Sequence, residues 1–365
     1  MFFFTNPVAW CRRWIPALAA VWALACLVQP VLGATWDIRK LNGEDYVSVD
    51  NIKQFYHFAK LSRKGSEITL ESFSKVGKKG GEATLGTPLV VMRLNVGSPE
   101  CTMNRVKFVF SKPVAEIDGK PFVSRTDLAK LIDPVLRPDF IKNAGNFRTV
   151  ILDPGHGGKD PGATNPYGTE ADYNLKVANL VRAEIMKLPP PHNNIRVVMT
   201  RTSDKYLSLQ ERVNLANSVP EDAIFISLHF NSGGRAAHGI ETFTLSPPGV
   251  AHYGRDVIAA DALSRAGNQH DSANVALATA THGMVVRSLG EKNTFDRGIK
   301  RARYTVLSGV RHPAILLEGG FMSHPYEARL IHKPEYQAAL AKGVATAVAK
   351  YRNAVTNRVK AAPPN

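Results

Sequence analysis

The sequence predicts an α/β protein: a mostly parallel sheet flanked by helices, preceded by a small α+β segment. Three observations predict it. From residue 147 onward, short apolar runs alternate with stretches whose apolar residues recur every three or four positions, the pattern of strands alternating with helices. Residues 35–138 instead carry short strand-like runs bounded by Gly, Ser, Pro or Lys, with the hairpin signal Asp118-Gly119. Between the two, residues 139–146 follow Pro138 and include Asn143 and Gly145, which read as a linker. A chain of 365 residues also exceeds one ordinary core.

The elements follow in order. Arg12 and Arg13 precede an apolar stretch at 14–28, and the small residues Gly33 and Ala34 follow it. Residues 1–34 therefore read as a secretory signal. The alternative is an uncleaved anchor, although the stretch is shorter than the ~20 residues of a full span. In the segment 35–138, strands are expected at 46–49, 68–70, 90–94, 106–110 and 122–123, and short helices at 49–60 and 124–132. In the segment 147–354, the run 150–152 is a buried strand. Leu175, Ala178, Val181, Ile185 and Leu188 mark one face of a helix. Strands at 195–199, 224–228, 240–245 and 315–317 alternate with helices at 209–217, 272–289 and 334–352, the last opened by Pro334. Residues 355–365 form a basic tail.

Composition narrows the function. Without residues 1–34 only Cys101 of the three cysteines remains, so no internal disulfide and no thiolate metal cage can form. Any metal must be held by His, Asp or Glu. The net charge is +15, two fewer without Arg12 and Arg13. Such a surface attracts polyanions. No nucleic-acid motif appears, so an anionic cell envelope is the better-matched partner; solubility alone accounts for the charge equally well.

Four residues could carry chemistry. His156 follows the first strand of the second segment, Glu170 precedes a helix, and His229 and Glu318 close two further strands. Ligands gather at the carboxyl ends of parallel strands. Two imidazoles and a carboxylate suit a three-ligand zinc set with a fourth position for water. Zinc lowers the pKa of that water to about 7, and a second carboxylate, Glu318, would then move its proton. Singly, each residue has a structural reading as well: a loop histidine, a core histidine, a helix-capping acid and a turn residue.

The stretches "VILDPGHGGKDPGA", "TEADYNL", "TRTSDKYLSLQERVNLAN", "FISLHFNSG", "HGIETFTL", "DRGIKRARYTVL" and "PAILLEGGFMSHPYEARLI" resemble, in order, the zinc-dependent N-acetylmuramoyl-L-alanine amidases. The resemblance covers about residues 147–352. It implies zinc ligation by His156, Glu170 and His229, with Glu318 as the catalytic acid/base. It further implies hydrolysis of the amide between N-acetylmuramic acid and L-alanine in peptidoglycan, by an exported protein of the periplasm or cell wall. Phe230-Asn231 departs from the small residues many relatives carry there, and 246–271 follows no family pattern. "GEDYVSVDNIKQFYHFAK" and "DGKPFVSRTDLAKLI" resemble the N-terminal-like module of copper amine oxidases, an accessory domain whose name implies no copper here.

Further expectations follow. Asp153 orients the His156 turn or bonds an imidazole. Arg201 and Arg297 meet peptide carboxylates at the rim or pair with local acids. His252 and His270 either reach the cleft or, with the remaining histidines His57, His192, His238, His282, His312, His324 and His332, lie at the surface. The rival functions are a zinc peptidase acting within the stem peptide and a non-catalytic wall-binding protein. A regulatory envelope protein is a candidate partner, and oligomeric state is unassigned.

Overall fold

The computed structural model describes residues 35–73, 77–79, 82–84, 88–142, 144–220, 222–290 and 294–356. The signal expected at 1–34 and residues 357–365 of the basic tail lie outside the described residues.

An eleven-stranded sheet organises the molecule. In chain order its strands are β1 (Lys60–Lys64), β2 (Glu67–Phe73), β3 (Pro88–Asn95), β4 (Glu100–Met103), β5 (Val106–Val109), β6 (Thr149–Pro154), β7 (Arg196–Met199), β8 (Ala223–Asn231), β9 (Ile240–Leu245), β10 (Asp296–Ala302) and β11 (Ala314–Phe321). Their order across the sheet is β7-β6-β8-β11-β9-β10-β5-β4-β3-β2-β1. The strands β7, β6, β8 and β11 pair in parallel, β9 runs antiparallel to β11, and β10 runs parallel to β9. The sheet is thus mixed. The first five strands, which all belong to the segment 35–138, join it through β5 on β10, at Phe108 opposite Ile299. Residues 36 onward form one compact unit, so the boundary expected at 139–146 separates chain segments while the sheet runs across it. Asp296 strengthens that junction by accepting the Lys107 amide at 3.1 Å. A smaller four-stranded sheet combines Ile38–Leu41, Glu44–Ser48, Lys120–Ser124 and Ala115–Ile117, and it contains the predicted hairpin.

Alternation along the central strands explains the layers. Val150, Leu152, Ile224, Ile226, Leu228, Ile315 and Leu317 point into the larger core, formed with the helices α1 (Glu170–Met186), α3 (Asp271–Leu289) and α5 (Pro334–Thr356). Their intervening neighbours Ile151, Phe225, Ala314 and Leu316 point into a second core with Val213 and Ala216 of α2 (Leu209–Asn217). The short α4 (Pro325–His332) precedes α5. The inner face of α1 includes Tyr173, Asn174 and Val177 besides the expected Ala178, Val181 and Ile185. Both β10 and α4 were absent from the sequence expectations: four of the seven residues of β10 are charged, in the adjacent pairs Asp296-Arg297 and Lys300-Arg301, and α4 is only two turns long.

Candidate metal centre

The first candidate ligand, His156, sits in a glycine-rich turn of left-handed backbone. After β6 the chain turns through Gly155, His156, Gly157 and Gly158. His156 itself adopts φ 59°, the left-handed region, followed by Gly157 at 126° and Gly158 at 57°. A Cβ on Gly155 would stand 2.1–2.6 Å from three atoms of the His229 ring. One on Gly162 would stand 2.6 Å from Glu170 Oε2 and 2.7 Å from His156 Cδ2. The glycines therefore leave the space in which the two imidazoles and the carboxylate meet.

Glu170 is the first residue of α1, whose N-cap is Thr169, bonded to the Asp172 amide. His229 lies within β8, two residues before that strand ends and beside a shift of register. Both imidazoles reach Glu170 Oε1, His156 through Nε2 at 3.2 Å and His229 through Nδ1 at 2.9 Å. Glu170 Oε2 accepts the Ala163 amide at 2.9 Å, and Oε1 lies 3.3 Å from the Phe230 amide. Burial opposes ionisation of this carboxyl, but the two histidines prevail and hold it below its ordinary range. One ligand atom from each of His156, Glu170 and His229 lies within 4.8 Å of the others.

Asp160 was missed by the sequence reading. Its Oδ2 lies 2.8 Å from His156 Nδ1. When that nitrogen donates to Asp160, Nε2 keeps its lone pair for a metal, the usual outer support of a ligand histidine. The signal was an acid four positions after the histidine in a glycine turn. Two imidazoles on a cleft wall with one buried carboxylate between them, and with the tautomer of one set from outside, fit a divalent metal of the zinc type.

Glu318 sits across from His229 in the parallel ladder. It lies inside β11, three residues before the strand ends, not at its close as expected. It is buried, and its Oε2 has no hydrogen-bond partner among the described residues. Burial first, then the carboxylates of Glu170 and Glu241, push its carboxyl well above the ordinary range. Glu241, also overlooked, is its antiparallel neighbour on β9 and is neutralised by Arg297 and by Lys300 at 2.9 Å. It was legible as a lone acid within the apolar alternation of "HGIETFTL". His156, His229 and Glu318 line one cavity of about 360 Å³, together with Asp160, Tyr206, Leu207, Arg303 and Tyr304.

The remaining expectations divide. Asp153 touches no imidazole. It accepts Arg212 at 2.8 Å, Thr200 at 2.7 Å and Ser227 at 2.9 Å, and Arg212 in turn donates to the carbonyls of Pro154 and His156. The pair thus clamps the turn from below. Arg201 is buried and donates to the carbonyls of Pro154, Gly155 and Ala171, which ties the turn to the start of α1. Neither arginine of that clamp is available to substrate, and Arg297 is engaged by Glu241. His282 and His192 are buried, not at the surface; His282 bridges Thr242 and Asp296 at 3.0 and 2.8 Å. His252 accepts the Arg303 amide and His270 bonds the Arg311 carbonyl, so both serve the local chain.

Arg212→Met is expected to destabilise the fold by about 3–5 kcal/mol, because it leaves Asp153 buried and uncompensated. Urea denaturation of the variant checks this; a loss under 1 kcal/mol would contradict the clamp.

The family model for N-acetylmuramoyl-L-alanine amidases matches residues 150–350, a span that holds all four candidate residues. The sporulation-specific N-acetylmuramoyl-L-alanine amidase of Bacillus subtilis (strain 168) is 29% identical over 194 residues, 53% of this chain and 64% of that protein. The amidase AmiC of Escherichia coli O6:H1 is 28% identical over 250 residues, 62% of this chain and 59% of that protein. The chain thus spans about three fifths of the length of these relatives. A crystal structure of an N-acetylmuramoyl-L-alanine amidase from Clostridium difficile 630 aligns with 56% of this chain and 97% of its own, at 31% identity and a TM-score of 0.45. The match over residues 150–350 covers more than half of the sequence, and the chain belongs to the N-acetylmuramoyl-L-alanine amidase family.

Proposed function

We propose that this chain is a zinc-dependent amidase that hydrolyses the bond between the lactyl group of N-acetylmuramic acid and L-alanine in peptidoglycan. The observation that carries this reading is the convergence of His156, Glu170 and His229 within 4.8 Å, beside a buried carboxyl with an unused oxygen. His156, Glu170 and His229 would hold the metal. Zinc, when bound, supplies Lewis-acid polarisation and a water of lowered pKa.

The residues of the chain do the rest. Asp160 orients His156. Arg212 and Arg201 hold the turn that carries it. Glu318 takes a proton from the attacking water and returns it to the leaving alanine nitrogen, so one carboxyl serves as base and then as acid. Its raised proton affinity suits the second task, and the positive charge of a bound metal would favour the first. Leu207, Tyr206 and Tyr304 narrow the cavity and limit bulk water around these transfers. No covalent intermediate is required, and the buried Cys101 takes no part.

The pattern of residues 1–34 supports export to the periplasm or cell wall. Among the described residues no helix is long and apolar enough to cross a membrane. The basic charge suits an anionic wall polymer. Residues 35–138 are read as an accessory module whose strands extend the catalytic sheet.

A soluble muramoyl dipeptide tests the reading. Hydrolysis that releases the alanine amine, stops with chelator and returns with zinc is the expected result; no release in the presence of zinc would overturn it. Zinc added to chelated protein is expected to raise Tm by on the order of 5–10 °C. His156→Ala and His229→Ala are each expected to abolish that rise.

A further inference from the structure

One guanidinium in the cavity wall has donors that the protein does not use. Arg303 lines the cavity, and its side chain is only 12% exposed. Its Nη2 donates to the carbonyls of Pro247, Val250 and Asp261 at 3.0, 3.0 and 2.6 Å. Its Nε lies 2.8 Å from Asp261 Oδ1 without the alignment of a hydrogen bond. Nη1 is buried with no partner among the described residues. Arg212 and Arg201, by contrast, are spent on carbonyls and on Asp153.

The charges around Arg303 do not balance locally. Asp261, itself buried, is gripped by both terminal nitrogens of Arg255 at 2.6 and 2.8 Å and also accepts the Ile258 amide at 3.0 Å. Two guanidiniums therefore share one carboxylate, which leaves positive charge in the wall. All three carbonyls and Asp261 come from 246–271, the segment that follows no family pattern. That segment thus acts as a buttress that holds one arginine against the cavity. A buried charged donor without a partner is destabilising, and in a native protein it calls for a reason, of which a ligand that completes it is one.

We propose that Arg303 is a specificity-determining residue whose free Nη1 receives a carboxylate on the peptide side of the substrate. The proposal rests on the amidase reading. A stem peptide whose second residue is glutamate offers such a group, and the same peptide with that carboxylate converted to the amide does not.

Two muramoyl dipeptides that differ only in this carboxylate or amide provide the test, with kcat and KM measured separately. The wild type is expected to favour the carboxylate by on the order of tenfold in kcat/KM, mainly through KM. Arg303→Gln is expected to bring the ratio close to one, and Arg303→Lys to leave it intermediate. Because each ratio is taken within one preparation, a partly folded sample does not change it. Lys159 is the control: its ammonium rests 4.5 Å from the centre of the Tyr206 ring, beside the cavity, and Lys159→Gln is expected to keep the wild-type ratio. A wild-type ratio near one, a ratio retained in Arg303→Gln, or one lost in Lys159→Gln would overturn the proposal. No turnover of either dipeptide by the wild type would instead overturn the amidase reading, and this proposal with it.

Discussion

Glu318→Gln is expected to lower kcat by about 10²–10⁴-fold, the usual contribution of a positioned general acid or base, while leaving zinc affinity unchanged. Glutamine keeps the shape of the side chain and cannot take up or release the proton. Glu318 lies outside the ligand set, so the metal should bind as before. The variant should also fold at least as well as the wild type. It replaces a buried carboxyl with an unused oxygen, placed near the carboxylates of Glu170 and Glu241, by a neutral amide. Lost turnover at equal or higher Tm is the signature of a group retained for chemistry at the expense of stability. Parallel measurement of kcat and thermal unfolding checks this, and a variant with half the wild-type rate would remove Glu318 from the reaction.

Gly155→Ala is expected to damage the centre from outside the ligand set. The backbone at Gly155 does not have the positive φ of its neighbours, so alanine meets no conformational penalty there. Its methyl group, however, would lie 2.1 Å from His229 Cε1 and 2.3 Å from Nε2. The strand that carries His229 is central and paired on both sides, so the ring must yield. A displacement of about 1 Å can lower kcat/KM by on the order of 10²-fold, and zinc affinity should fall with it. Calorimetric zinc titration beside kinetics checks both; unchanged affinity would mean that the turn can move aside. Gly162→Ala meets a contact and a positive φ together, and should be at least as damaging.

The site was more legible in the sequence than the sheet that carries it. His156, Glu170, His229 and Glu318 stand in stretches with a strong local pattern; the fold gathers the first three within 4.8 Å and brings His156, His229 and Glu318 to one cavity. What failed locally were the supports. Asp160 takes the place expected of Asp153 at an imidazole, because the chain folds Asp160 back onto Gly157, which brings its carboxylate to the His156 ring. Arg201 and Arg297 look like rim cations in the sequence, but Arg201 turns inward because sharp-turn carbonyls need donors, and Arg297 pairs with Glu241. The continuity of the sheet was hidden for a different reason. The join at Phe108 and Ile299 links residues nearly two hundred positions apart, and nothing in the local alternation of either strand names its neighbour. The segment 246–271 follows no family pattern, and in the fold the carbonyls of Pro247, Val250 and Asp261 accept from Arg303 while the Asp261 carboxylate holds Arg255, contacts that no local pattern announces.

The most direct measurement is the product of peptidoglycan digestion. Purified peptidoglycan treated with the zinc-loaded protein should yield intact stem peptides with a free N-terminal alanine, read by mass spectrometry, and no new reducing sugar ends; Glu318→Gln should yield neither. Stem peptides cut internally, with alanine still joined to muramic acid, would contradict the account and show a peptidase instead.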